Sequence, residues 1–266
     1  MEAVVTDLDG TVVRRDGTVS AATLRAADAL KTLGVPLVAA TARTPLGVQA
    51  LPTLVPRLTF AVCCNGAVGW VPADGTLAWI ERLPRKLVSD LVSYLAAELP
   101  EAGAAVFDGR QWRVTERYRA IRTAGHKGPI SIVDPAALAQ ADACSMVVCQ
   151  PGWSAPQTLA ALVSAGFAPG RVTLSYAGSQ FVEVTAASVD KASGVARALL
   201  TVGASPERSI VFGDMPIDVP MFSVVGHSVA MAGAPGEVLS AATSRTESVE
   251  DDGFARTLIR LGLVRP

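Results

Sequence analysis

Apolar positions in this chain come in short blocks separated by polar, Gly- and Pro-rich breaks, and the spacing of the blocks changes character twice along the length. In the first third, Val4-Val5 reads as a strand, a helical pattern runs from Ser20 to Leu33, and Val35 to Ala40 is a second strand. A short helix follows Pro45, and Thr59 to Cys64 is a third strand. Ser20 is an N-cap residue, and Gly34 and Pro36 are stop signals beyond the first helix. Strand, helix and strand in alternation predict a parallel sheet with covering helices.

The middle of the chain reads differently. A hairpin is expected over Ala67 to Ile80, turning at Asp74-Gly75, then a helix over Leu83 to Leu99 and strands at Ala104 to Phe107 and Gln111 to Thr115. Cys144 to Cys149 is a further strand, Ala155 to Ala165 a helix, and Val172 to Tyr176 with Phe181 to Thr185 a strand pair around Gly178. Arg119 to Pro135 has weak periodicity and reads as a loop. Hairpins with helices on one side predict an inserted α+β module. The alternating pattern then resumes: helix Lys191 to Val202, strands Ser209 to Phe212 and Ser228 to Met231, a helix begun by Pro235, and a last helix ending near Leu261.

The expected fold is therefore α/β: a doubly wound, Rossmann-like parallel-sheet core formed by 1–83 and 187–266, interrupted by a smaller α+β domain over 84–186. A length of 266 residues accommodates two such units.

Composition narrows the function. Lys plus Arg is 23 and Asp plus Glu is 24, a net charge of -1, with no basic excess for gripping nucleic acid. No apolar run reaches the ~18 residues of a membrane span, and Glu2, Asp7 and Asp9 spoil a signal-peptide reading. A cytoplasmic protein is expected, with no nucleic-acid or membrane partner; the pattern is silent on oligomeric state. Cys63, Cys64, Cys144 and Cys149 form no C-x-x-C pair and read as buried apolar residues. His126 and His227 lack an H-E-x-x-H frame and read as loop or core histidines.

Candidate chemistry begins at Asp7-Leu8-Asp9-Gly10-Thr11. Asp-Gly between valine-rich flanks is also a hairpin signal, but no partner strand of useful length follows before the Ser20 cap, so a strand ending in an acidic loop fits better. A calcium loop is excluded, because the later ligand positions hold Thr11, Val12 and Thr18. In open α/β sheets ligands bind beyond the carboxyl ends of the strands. Polar residues recur there: Thr41 and Arg43 after the second strand, Asn65-Gly66 after the third, and Gly213-Asp214, then Asp218, after Ile210-Val211-Phe212. Taken singly these are an N-cap, a hairpin turn and a solvated turn; four at one sheet edge describe a site. Lys191 opens a helix, its bland reading an exposed lysine; Ser188 to Lys191 spells S-x-x-K but lacks the partner motifs of a serine hydrolase.

Asp7-Leu8-Asp9-Gly10-Thr11, Thr41, Lys191 and Gly213-Asp214 with Asp218 resemble the four ordered motifs of the haloacid dehalogenase-like (HAD) phosphatases. Asn65-Gly66-Ala67 and Gly226-His227-Ser228-Val229-Ala230-Met231 resemble the Cof-type branch, whose cap domain is inserted after the second motif. The resemblance implies hydrolysis of a small phosphorylated metabolite, a sugar phosphate by the habit of the branch, with the cap covering the site. Asp7 is then the nucleophile forming an aspartyl-phosphate and Asp9 the general acid and base. Thr41 and Lys191 hold phosphoryl oxygens, and Gly10, Arg43 and Asn65 contact substrate. Four carboxylates against one lysine also call for a cation, since like charges ~4 Å apart repel by ~4 kcal/mol at an effective dielectric of 20. Mg²⁺ suits such oxygen ligands: Asp7 and Asp214 through side chains, the Asp9 carbonyl by resemblance, and Asp218 at the same site.

The chain departs from the pattern at Ile217 and Gly233, where the family usually has Asn. Ile217 cannot hydrogen-bond a metal-bound water or Lys191, so reduced metal affinity or turnover is expected. A phosphomutase using the same chemistry, and a non-catalytic ligand-binding protein on the same fold, remain as alternatives. Trp112, Arg113, Arg117, Trp153 and Tyr176 are candidate substrate contacts among which the sequence does not choose.

Overall fold

A computed structural model describes residues 1–122, 127–176 and 178–265. They divide into two compact units: Met1–Trp79 with Lys191–Pro266, and the contiguous Ile80–Asp190. Each break falls a few residues outside the boundary suggested by the sequence pattern. His126 lies outside the described residues.

The first unit begins with β1 (Ala3–Thr6), α1 (Ala21–Thr32), β2 (Leu37–Ala40), α2 (Pro45–Gln49), β3 (Phe60–Cys63), β4 (Val68–Val71) and β5 (Thr76–Ile80). Every residue of β1, β2 and β3 is buried, which is why these strands are uninterrupted apolar runs rather than alternating ones. Helix α1 buries Thr23, Ala26, Ala27 and Leu30, one stripe at helical spacing, and the Ser20 side chain accepts from the Thr23 N–H. It stops where Gly34, at φ 69°, lets the Gly34 and Val35 amides turn back to the Lys31 and Leu30 carbonyls.

The insert carries α3 (Arg85–Glu98), β6 (Gly103–Phe107), β7 (Trp112–Val114), α4 (Glu116–Ile121), β8 (Ile130–Ile132), α5 (Pro135–Ala139), β9 (Ser145–Cys149), α6 (Ala155–Ser164), β10 (Val172–Ser175) and β11 (Val182–Ala186). Among the described residues its sheet runs β10-β11-β9-β6-β7-β8. Leu87, Leu91, Leu138 and Leu162 from α3, α5 and α6 pack with Val106, Met146, Val148 and Val184 on one face. On the other, Tyr118 of α4 packs with Ala105, Val114, Val147 and Cys149. The stretch expected to be a loop, Arg119 to Pro135, instead holds the end of α4, all of β8 and the start of α5. These elements escape periodicity because they are short and mostly exposed, with all three residues of β8 at the surface. Of the candidate contacts, Trp112 packs on Phe107, Arg113 pairs with Asp108, and Arg117 with Glu101. Tyr176 packs against the main core cluster, and Trp153 is exposed.

The chain returns through α7 (Lys191–Thr201), β12 (Ser209–Gly213), α8 (Val219–Phe222), β13 (His227–Ala230), α9 (Gly236–Ala241), β14 (Ser244–Arg245) and α10 (Gly253–Arg260). The first sheet is ordered β14-β13-β12-β1-β2-β3-β4-β5. From β14 to β3 all pairings are parallel, and β4 turns antiparallel to β3. Since β2 and β3 lie on one side of β1, and β12 and β13 on the other, the winding direction reverses at β1 and β12, where a crevice opens at the strand C-termini. All four cysteines are free and buried. No helix among the described residues is long and apolar enough to cross a membrane.

Two close approaches fix what borders that crevice. Trp79 stacks on Phe60 at 5.2 Å and donates its indole N–H to the Gly66 carbonyl, 3.0 Å, and a Cβ on Gly69 would lie 2.3 Å from its ring. Gly194 brings α7 against β3: a Cβ there would meet Val62 Cγ1 at 2.4 Å and the Gly66 Cα at 2.9 Å. A helix-interior Gly→Ala change normally gains ~1 kcal/mol, but here overpacking reverses the sign. Gly194→Ala is expected to destabilise by about 1–3 kcal/mol in urea denaturation.

Candidate active site

Because β12, β1, β2 and β3 are adjacent and parallel, the residues that follow them meet at one edge: Asp214, Asp7, Thr41 and Asn65. The Asp7 N–H donates to the Phe212 carbonyl (3.0 Å), extending the β1–β12 ladder one residue beyond the strand so that the Asp7 side chain enters the crevice. The following loop is not a hairpin. The Leu8 carbonyl accepts from Thr11, Val12 and Val13, and the Gly10 N–H donates to the Val13 carbonyl, curling the chain on itself. Gly10 has φ 89°, and a Cβ there would lie 2.3 Å from an Asp214 carboxylate oxygen. Glycine is thus required both by backbone conformation and by the approach of the Asp214 loop.

Lys191 is 2 % exposed, contrary to the reading of an exposed helix-start lysine. Its Nζ donates to Asp7 Oδ1 at 2.6 Å and to Asp218 Oδ1 at 2.7 Å. Asp218, fully buried rather than solvated, accepts the Asp214 and Met215 amides on Oδ2, both at 3.0 Å. Thr11 Oγ1 donates to Asp214 Oδ1 at 3.0 Å. Asp7, Asp214 and Asp218 each place a carboxylate oxygen within 4.8 Å of the others.

A second layer lies along β2 and β3. Thr41 is buried but does not cap α2, a role taken by Thr44; its Oγ1 accepts the Arg43 N–H. The Asn65 and Cys64 amides donate to the Thr41 and Arg43 carbonyls. Asn65-Gly66 does join β3 to the antiparallel β4, as a turn in which Cys64, Asn65 and Gly66 all have positive φ (50°, 50° and 103°), a conformation that is strained for Cys64. Arg43 reaches across to Asp9 and holds both carboxylate oxygens, Nε to Oδ2 at 2.7 Å and Nη2 to Oδ1 at 2.6 Å. The Asp9 side chain therefore stands outside the acidic cluster.

A family model described as haloacid dehalogenase-like hydrolase matches residues 4–258, nearly the whole chain and every strand-end residue above. The chain belongs to this family. Among solved structures, a HAD subclass IIB sugar phosphatase is similar with a TM-score of 0.85 and 20% identity, covering 99% of this chain and 100% of that one. A haloacid dehalogenase-like hydrolase from B. subtilis has a TM-score of 0.84 and 20% identity, covering 98% and 100%. A protein of Streptococcus pyogenes named as a bifunctional phosphatase/peptidyl-prolyl cis-trans isomerase is 34% identical over 82 residues, which are 31% of this chain but 17% of that protein. A protein of Mycoplasma pneumoniae named as a phosphatase is 41% identical over 51 residues, 19% of this chain and 18% of that protein. The match thus spans less than a fifth of either curated relative.

Viewed as a HAD-family site, the cluster is suited to a divalent cation. Three carboxylates against one ammonium leave a net charge of -2 in a buried space. Burial pushes the Asp7 carboxyl well above its ordinary range; Asp218 and Asp214 add to this and Lys191 opposes it. Burial, then Asp218, pushes Asp214 up to about 6 against the pull of Thr11 and Lys191. Burial alone would lower Lys191, but Asp218 and Asp7 outweigh it and hold the ammonium charged. Asp218 spends both oxygens on protein donors, whereas among the described residues Asp7 and Asp214 each keep one oxygen free of protein hydrogen bonds. Those two are placed to ligate, and Asp218 is placed to hold Lys191 and the Asp214 loop.

The two departures from the family pattern differ in weight. Gly233 has φ 89°, a left-handed position that Asn and Gly share as its most tolerant occupants, so the exchange preserves the backbone. Ile217 is half-exposed in the turn Pro216–Asp218 and adds no donor or acceptor beside Asp218. The sequence pattern alone gives Thr11 no separate role; the signal for one is its place in the same loop as Asp7 and Asp9.

Lys191→Met leaves two buried carboxylates without their cation and is expected to cost about 3–5 kcal/mol in chemical denaturation. Asp214, raised in the folded state, contributes stability that is fully present below its unfolded value of 3.8 and lost as pH rises through about 6. A cation bound there offsets that loss. Added divalent cation should therefore raise the melting temperature at pH 7.5, and the rise should shrink as pH falls through about 6, where protons compete for the ligand.

Proposed function

We propose that the protein is a Mg²⁺-dependent phosphatase that hydrolyses a small phosphorylated metabolite, a sugar phosphate, through an aspartyl-phosphate on Asp7. The observation that carries this reading is the convergence of Asp7, Asp214 and Asp218 within 4.8 Å of one another, with Lys191 bonded to two of them. A purely structural role has no use for this much buried negative charge. Family membership supports the hydrolytic class, and the sugar phosphatase of the same fold supports the substrate class.

In this reading the free oxygen of Asp7 attacks phosphorus, with Lys191 fixing the carboxylate through its other oxygen. Asp7, Asp214 and the Asp9 carbonyl would hold Mg²⁺, which would supply the positive charge that an anionic phosphoryl group needs in this acidic site. Thr41 and Lys191 hold phosphoryl oxygens, and Gly10 and Asn65 border the substrate. Asp9 protonates the leaving oxygen and then takes a proton from the attacking water. Arg43 occupies both Asp9 oxygens in the structure; an anionic substrate that draws the guanidinium to itself releases Asp9 for this work. Substrate choice is assigned to the insert, 80–190, and the chain is read as a cytoplasmic enzyme.

The test is phosphate release from a panel of sugar phosphates and an aryl phosphate, with and without Mg²⁺. Wild-type protein is expected to release inorganic phosphate only with the cation, and Asp7→Asn to lose at least about 10³-fold of that rate while keeping its fold by circular dichroism. Isomerised sugar phosphate without phosphate release would instead identify a mutase.

A further inference from the structure

The insert presents a bare sheet edge. Among the described residues β8 (Ile130–Ile132) ends the second sheet, and Ile130 and Ile132 are 43% and 41% exposed. Edge strands are usually protected by shortness, by lysine, by proline or by a bulge. Here the strand is short, three residues, but reads Ile-Ser-Ile with no charge, and the preceding Pro129 faces β7. In the parallel register Trp112↔Ile130 and Val114↔Ile132, the Trp112 N–H donates to the Pro129 carbonyl and the Val133 N–H to the Val114 carbonyl. Within β8 Ser131 therefore faces β7 with its backbone groups, and Ile130 and Ile132 turn theirs outward. Pro129 directs its carbonyl to the Trp112 N–H on the β7 side, so the outward row loses no donor to proline.

We infer that this edge is the seam of a two-fold symmetric dimer, in which β8 of one copy pairs antiparallel with β8 of another about Ser131. That register sets Ile130 opposite Ile132 of the second copy and the reverse, so outward-facing groups meet outward-facing groups and each such pair exchanges two hydrogen bonds. The interface is isologous, and two six-stranded sheets become one continuous sheet. Four isoleucines now half in water come together on one face. Antiparallel pairing also brings the exposed Lys127, just before β8 of one copy, toward the exposed Asp134, just after β8 of the other, so that opposite charges adjoin at each end. Alongside the seam runs a cavity of about 430 Å³ in which Ala102, Ile132 and Val133 adjoin the charged Glu116, Arg117 and Asp134.

The axis places Ser131 opposite its own copy in a non-hydrogen-bonded pair, where Cα atoms are close enough for a disulfide. Ser131 is exposed, and the four native cysteines are buried. Full-length Ser131→Cys under mild oxidation is expected to give a covalent dimer on a non-reducing gel, whereas Arg119→Cys, an exposed position away from the seam, gives none. Sedimentation of wild-type protein should show a concentration-dependent dimer that Ile130→Lys with Ile132→Lys converts to monomer. A wild-type chain that stays monomeric at about 100 μM, the weak end of specific association, overturns the inference. So does a dimer that survives the double lysine variant or is not trapped by Ser131→Cys; a monomer that instead captures an extended peptide along β8 assigns the edge to another occupant.

Discussion

The ammonium of Lys191, enclosed in protein and bonded to Asp7 and Asp218, is the interaction on which the catalytic unit depends. It joins three pieces of chain that are far apart in sequence: the end of β1, the start of α7 and the turn after β12. Desolvating a lysine is expensive unless carboxylates surround it, and desolvating carboxylates is expensive unless cations do. One cation cannot neutralise three acids, so the same bond that organises the site leaves it short of positive charge. The closure of the site and its suitability for a divalent cation are two faces of one electrostatic imbalance.

Glycines set how tightly this arrangement closes. Gly10 admits the Asp214 carboxylate, Gly213 admits Asp218, whose Cβ would lie 2.6 Å from a Cβ placed there, and Gly194 seats α7 on β3 and the Asn65-Gly66 turn. Each lets backbone approach where a methyl group would hold it away. Trp79 completes the buttress by bonding the Gly66 carbonyl, so the turn carrying Asn65 is fixed from beneath as well as by its bonds to the Thr41 and Arg43 carbonyls.

Much of this was legible in the sequence because the signals were local and strong. Apolar strand blocks, Ser20 as a cap and Gly34-Pro36 as a stop located the core elements, and polar residues after four of those strands located the site. What was not legible came from contacts that no local window contains. The Arg43–Asp9 pairing depends on the spacing of β1 and β2, the burial of Lys191 depends on Gly194, and the exact work of Asp218 depends on the turn at Pro216. In the insert, α4, β8 and α5 are too short for periodicity to register, and exposure removes the apolar pattern that would mark them.

The order of the first sheet also bears on how the protein is made. Ala3 pairs with Ser209, so the central strand waits for this neighbour until residue 209 has left the ribosome. The insert is contiguous, and its sheet can close while the flanking halves are still incomplete. Non-local pairing of this kind slows folding, and during that interval β1 presents an apolar strand edge awaiting its partner. The nascent chain is therefore most dependent on chaperones in the interval before β12 is made, while the catalytic unit is still open.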